Sequence, residues 1–243
     1  QLLLLGDEAL AQGALDAGLS GCYAYPGTPS TEITEYIQAS AEASERGVHR
    51  QWSANEKCAM EEALGMSYAG KRALVCMKHV GLNVAADGFV NSAITGVHGG
   101  LILAVADDPS MHSSQNEQDS RFYAKFAGIP CFEPANQQEA YDMAFAGFEL
   151  SERMQVPVML RLTTRLSHSR ANVSRRECLP ERPLSRPENP GRFVLLPAIA
   201  RLNYENLLAK QADFVAAAEK SPFNAWLDGA DTSLGILTTG IAF

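Results

Sequence analysis

Up to about residue 162, short apolar runs alternate with stretches whose apolar positions recur every three to four residues. That alternation predicts strands and helices in turn. The runs at Leu2–Leu5, Gly21–Tyr25, Val48–Trp52, Ala73–Met77, Leu101–Ala106 and Val156–Leu160 have the length of strands. Helical spacing occupies Glu8–Ala17, Ser30–Ser44, Asn55–Ala69, Asn83–Thr95 and Gln137–Arg153. Gly18, Gly47 and Gly70 stand at or near the ends of three of these, where a left-handed residue closes a helix at least cost. The expected fold is therefore α/β, a mostly parallel sheet flanked by helices on both faces.

The pattern changes between Arg161 and Arg201. Pro180, Pro183, Pro187, Pro190 and Pro197 fall there, with nine Arg against three Glu, although the whole chain carries a net charge of −8. This segment reads as an extended basic strap, either a solvated linker or a wrap around an acidic partner subunit. A helix is expected from about Asn203 to Lys220, then an apolar run from Leu234 and a glycine turn at Gly240 that predict the first strand of a further domain. The expected division is 1–165 for the α/β domain, 166–200 for the strap, and 201–243 for a linker helix and a truncated following domain. With Gln1 at its start and that strand at its end, the chain is expected to be a piece of a longer polypeptide.

Composition narrows the function classes. The 243 residues are 46% hydrophobic and 20% charged, an ordinary globular mixture. Lys and Arg number 20 against 28 Asp and Glu, which argues against nucleic-acid or anionic-membrane binding through bulk charge. The apolar run at either end is far short of the roughly 20 residues that cross a bilayer, so neither a signal peptide nor a membrane helix is expected. Cys22, Cys58, Cys76, Cys131 and Cys178 are odd in number and scattered, suggesting no disulfide framework, no metal site and a cytoplasmic setting. GxGxxG, Walker, HExxH and GxSxG patterns are all missing, so nicotinamide, nucleotide and zinc chemistry lose their usual sequence support.

Four stretches could carry chemistry. Tyr25-Pro-Gly-Thr-Pro-Ser-Thr31 joins a strand to a helix, at the sheet edge where open α/β folds bind ligands. Thr28 as N-cap with Pro29 in the first turn would turn free N–H groups and hydroxyls toward an incoming carboxylate, or simply cap the helix. Ser53-Ala-Asn-Glu56 has the spacing of a capping box, yet Glu56 also shares a helical face with Met60, Ala63 and Ser67 and so points inward. An inward carboxylate suits a group that shares a proton with a nitrogen heterocycle. The polar loop from Ala106 to Arg121 exceeds the usual connection of about four to six residues. Its Arg121 could clamp a substrate carboxylate or pair with Asp119 or Glu117. His79 in Met77-Lys-His-Val-Gly-Leu-Asn83 could act as acid, base or donor, or be a structural residue.

Taken in order, Tyr25-Pro-Gly-Thr-Pro-Ser30, Asn55-Glu56, Gly65-Met-Ser-Tyr-Ala-Gly70, Met77-Lys-His-Val-Gly-Leu-Asn-Val-Ala-Ala-Asp87 and Ser114-Gln-Asn-Glu-Gln-Asp-Ser-Arg121 closely resemble the 2-oxoacid:ferredoxin oxidoreductase family. The last two blocks point to its indolepyruvate ferredoxin oxidoreductase alpha-subunit branch, and the resemblance covers residues 1 to about 170. It implies the pyrimidine-binding (PYR) domain of a thiamine diphosphate enzyme that decarboxylates 2-oxoacids oxidatively, passing electrons to ferredoxin and the acyl group to coenzyme A. By this resemblance Glu56 contacts the aminopyrimidine ring as the catalytic carboxylate, and Tyr25, Pro26 and Asn83 adjoin the cofactor. Thr28, Arg121 and His79 are the implied substrate-binding residues. The family's Mg²⁺ motif and its iron–sulfur cysteines are not in this sequence, so the metal and clusters are implied elsewhere in the full enzyme, and an oligomer with other subunits or domains is expected. The expected substrate is indolepyruvate or another aryl 2-oxoacid. A sister enzyme for pyruvate or another 2-oxoacid, and a non-catalytic assembly module of the same fold, remain alternatives.

Overall fold

The computed structural model describes residues 1–231 and 233–243. Its strands are β1 (Leu2–Leu5), β2 (Gly21–Ala24), β3 (His49–Trp52), β4 (Ala73–Lys78), β5 (Leu101–Asp107), β6 (Cys131–Phe132), β7 (Val158–Thr163) and β8 (Arg170–Val173). Six of them form one sheet in the order β3-β2-β4-β5-β7-β6, every pair parallel. Helices α1 (Gly6–Asp16), α2 (Thr31–Ala39) and α3 (Ala41–Glu45) precede β3, and α4 (Glu56–Tyr68) and α5 (His79–Thr95) flank β4. After β5 come α6 (Arg121–Ala127), α7 (Gln137–Met154) and α8 (Thr164–His168), and beyond β8 lie α9 (Pro197–Ala209) and α10 (Gln211–Glu219).

Period-two alternation within the strands builds two cores. Leu74, Cys76, Ile102 and Ala104 face α1, α2 and α7, meeting Leu10, Leu15, Ile33, Ile37, Tyr141 and Phe148. Val75, Met77, Leu103 and Val105 face the opposite way, against Met60 and Ala63 of α4 and Leu82 and Phe89 of α5. A parallel sheet covered on both faces needs strands that are apolar throughout, which is why these runs read as continuous rather than alternating.

Several expectations are corrected. β1 does not join the main sheet; it pairs antiparallel with β8, and its Leu3 is 64% exposed while Leu4 is buried, the signature of a ribbon covered on one side. The helix expected over Ser30–Ser44 is broken at Ser40, whose extended backbone and hydroxyl restart the helix by accepting from the Ala43 N–H. The helix expected over 203–220 begins earlier and is divided at Lys210. No strand forms from Leu234. The residues there are exposed, Leu237 at 97%, and without a ladder partner among the described residues the chain ends in a 3-10 turn at Gly240–Ala242.

The basic segment runs back across the far edge of the domain, where the helices end. Unpaired carbonyls at helix C-termini need donors, and this segment and the start of α10 supply them. The Leu179 N–H reaches the Asp16 carbonyl at 2.7 Å, the Ser185 N–H reaches Ala69 at 2.9 Å, Arg192 Nε reaches Thr95 at 3.1 Å and Gln211 Nε2 reaches Gly128 at 2.9 Å. At Gly70 the chain has φ +86°, and Ser185 lies so close that no Cβ would fit. Two of the segment's arginines are met by carboxylates within the chain: Arg175 pairs with Asp16 and Glu42, and Arg182 with Glu152.

Candidate functional site

From β2 the chain crosses to β3 on one side, then returns past β2 to β4 on the other. The carboxyl ends of β2 and β4 therefore flank a topological switch point, where an open parallel sheet leaves a crevice. A cleft of about 530 Å³ lies there, walled by Tyr25, Pro26 and Gly27 after β2, Glu56 at the start of α4, Lys78 and Val80 at the β4–α5 junction, and Met111 to Gln115 after β5.

Glu56 reaches this cleft because it does not cap its own helix. The capping box expected with Ser53 is absent: Asn55 is the N-cap, its side chain accepting from the Cys58 N–H at 2.9 Å. Ser53 instead donates its hydroxyl to Glu62 at 2.6 Å and its N–H to the Ala24 carbonyl. No hydrogen bond or ion pair from the described residues engages the half-buried Glu56 carboxylate. It lies against Gly81, where a Cβ would come within 2.5 Å of Oε1. Met60, Ala63 and Ser67, the helical face expected to turn inward, are buried.

The turn after β2 differs from expectation. α2 starts at Thr31 with Ser30 before it, so Thr28 is not the N-cap and Pro29 is not in the first turn. Local hydrogen bonds shape the loop instead: the Gly27 N–H donates to Thr31 Oγ1 at 2.9 Å, and the Ser30 hydroxyl donates to the Gly27 carbonyl at 2.7 Å. Tyr25 and Pro26 thus join Glu56 around the cleft, while the exposed Thr28 lies outside its lining.

The remaining sequence candidates are not brought to the same wall. His79 is fully buried, with Nε2 at 2.9 Å from the Asn116 carbonyl, and pins the polar loop to α5. Asn83 is exposed on α5 and accepts from the Tyr123 hydroxyl. Arg121 opens α6, with Nη2 at 2.7 Å from Asp119 and Nη1 at 3.3 Å from Glu133. The hydrogen bond to Asp119 holds its guanidinium above its already high range.

Lys78 escaped the sequence reading, although it sits in the block that carried the resemblance. Two adjoining carboxylates, legible only in three dimensions, hold the polar loop over the cleft. Asp108 accepts from the Ser113 N–H, the Ser114 hydroxyl and the Thr164 hydroxyl at 2.7–2.8 Å. Burial pushes Asp108 up, but these hydrogen bonds outweigh it and leave its carboxyl well below the usual range. Asp107 accepts from the Ser120 N–H at 3.0 Å and from Arg161 Nε at 2.6 Å, closing the other end of the loop.

A cleft at the switch point of a parallel sheet is where open α/β domains bind their ligands. The chain belongs to the pyruvate flavodoxin/ferredoxin oxidoreductase, thiamine diphosphate-binding family, whose model matches residues 12–195. Over its whole length it is 46% identical to the indolepyruvate oxidoreductase subunit IorA of Pyrococcus abyssi and 45% identical to that of Archaeoglobus fulgidus, covering 38% and 40% of those proteins. A more distant relative is the 2-oxoglutarate synthase subunit KorA of Methanothermobacter thermautotrophicus, 26% identical over 72% of this chain and 47% of that protein. The fold matches a 2-oxoglutarate:ferredoxin oxidoreductase from Magnetococcus marinus with TM-score 0.71 and 18% identity, over 88% of this chain and 45% of that one. The chain thus spans about two fifths of the length of its IorA relatives.

Proposed function

We propose that this chain supplies the pyrimidine side of a thiamine diphosphate site in an enzyme that oxidatively decarboxylates indolepyruvate or another aryl 2-oxoacid, with coenzyme A as acyl acceptor and ferredoxin as electron acceptor. The observation that carries this reading is the Glu56 carboxylate, free of partners among the described residues and lying at the cleft against the bare Gly81. The name borne by the IorA relatives supports the aryl substrate, and membership of the thiamine diphosphate-binding family supports the cofactor.

The residues present fit the group. An aminopyrimidine offers ring nitrogens to an acid, and among the described residues Glu56 is the one carboxylate lining the cleft. When bound, thiamine diphosphate supplies the nucleophilic carbon and the electron sink for loss of CO₂. The Glu56 carboxylate is the group that would exchange a proton with a ring nitrogen, as a positioned general acid–base does. Tyr25 and Pro26 form the apolar rim, and the loop held by Asp107 and Asp108 covers the opposite side.

Replacing Glu56 by Gln in the complete enzyme tests this directly, because an amide cannot give up or take the proton. We expect 2-oxoacid-dependent reduction of ferredoxin to fall by about 100-fold or more, with an unchanged circular dichroism spectrum. Turnover within a few-fold of wild type would overturn the assignment. The substrate is decided by comparing kcat/KM for indolepyruvate, phenylpyruvate and pyruvate; a preference for pyruvate removes the aryl reading.

A further inference from the structure

We propose that Lys78, and not Arg121, is the cation that receives the substrate carboxylate in this cleft. The proposal rests on the reading of the site as one for 2-oxoacids and deepens it.

Lys78 ends β4 and lines the same cleft as Glu56. Among the described residues its ammonium makes one hydrogen bond, to the Ser113 carbonyl at 3.3 Å, and no carboxylate lies within ion-pair distance. An ammonium has three donors, so two are left for a ligand. The stem is seated as deliberately as the Glu56 carboxylate. A Cβ on Gly27 would come within 2.9 Å of Lys78 Cδ and 3.1 Å of Cγ, so the bare Gly27 gives the side chain its channel into the cleft.

Arg121 has the opposite situation. Both faces of its fork are occupied, Nε and Nη2 by Asp119 at 2.7–3.1 Å and Nη1 by Glu133 and Thr239, and it is not part of the cleft wall. To take a substrate it would have to abandon two carboxylates. Among the described residues the cleft thus holds one carboxyl group and one ammonium, not paired with each other. An acid–nitrogen contact uses the first, and a ligand carboxylate matches the second.

The test uses the complete enzyme loaded with its cofactor and two unreactive probes that lack the 2-oxo group, indole-3-propionate and indole-3-propionamide, titrated by calorimetry. Wild type is expected to hold the carboxylate about 10- to 100-fold more tightly than the amide, the usual worth of a charged hydrogen bond. Lys78→Met should bring that ratio close to one while changing amide and cofactor affinity less than about two-fold, and Lys78→Arg should restore part of it. Arg121→Met should leave the ratio intact. If Lys78→Met keeps the discrimination, or weakens thiamine diphosphate as much as the acid, the proposal fails. If Arg121→Met alone removes it, Arg121 is the clamp and the 2-oxoacid reading stands. If wild type holds neither probe, both fall.

Discussion

Substituting Gly81 by Ala would disturb the site without removing any functional group from it. Gly81 sits in the first turn of α5 at an ordinary helical φ, so the alanine backbone is allowed. Its new methyl carbon would meet Glu56 Oε1 at 2.5 Å, Cγ at 2.8 Å and Cδ at 2.9 Å. Ordinary contact begins at 3.4 Å, so the carboxylate must retreat by about 1 Å. A misplacement of ~1 Å at a reacting centre can cost ~100-fold in rate. Stability should hardly suffer. Alanine is favoured over glycine in a helix by up to about 1 kcal/mol, and a half-buried side chain facing a cleft can move cheaply. We therefore expect the complete enzyme to keep its melting temperature within about 4 °C while kcat falls by about two orders of magnitude. Thermal unfolding followed by circular dichroism and steady-state 2-oxoacid oxidation are the two measurements. A variant with wild-type kcat would show that the position of the carboxylate against α5 is irrelevant to turnover, and the argument from the Gly81 cradle would be wrong.

Two further predictions concern stability. Asp7, in the first turn of α1, is fully buried, and burial pushes its carboxyl well above the usual range, outweighing the nearby Ser167 hydroxyl, with Glu32 and Glu8 adding to the rise. A raised carboxyl stabilises the fold only when protonated, so its cost appears as pH rises from the unfolded value of about 4 through the folded one. Asp7→Asn should therefore raise the urea midpoint at pH 8 and lose that advantage near pH 4; a lower midpoint at pH 8 would contradict this. Asp16 is the reverse case. Burial raises it, but hydrogen bonds from Arg175, Tyr141, Cys178 and Gln12 together hold it below the usual range. Its stabilising effect is present above about pH 4 and is lost as pH falls through the depressed folded value. Arg175→Met should cost about 2 kcal/mol at pH 7, with the difference from wild type shrinking in acid. An unchanged urea midpoint would show that the basic segment docks without that pair.

How much of the site was legible depends on how local each feature is. That Glu56 faces inward followed from its offsets to Met60, Ala63 and Ser67, because a helix imposes its period on any sequence. The capping box with Ser53 fitted the spacing equally well, and only the competing bond from Ser53 to Glu62, nine residues apart, removed it. Thr28 as N-cap failed for a similar reason: the Gly27 and Thr31 contacts start α2 two residues later.

The alternation of strands and helices up to β5, the two-faced burial of the sheet and the helix-ending glycines were set by the amino-acid sequence alone, since they arise from periodicity and from the φ each residue tolerates. Which charges remain unpaired was decided by the tertiary structure. Arg121 meets Glu133 twelve residues away and Lys78 meets Ser113 thirty-five away. Coulombic pairing follows distance in space, which the sheet crossing at β2 and β4 creates and no local pattern encodes. The same crossing gathers residues 25–27, 56, 78 and 111–115 around one cleft.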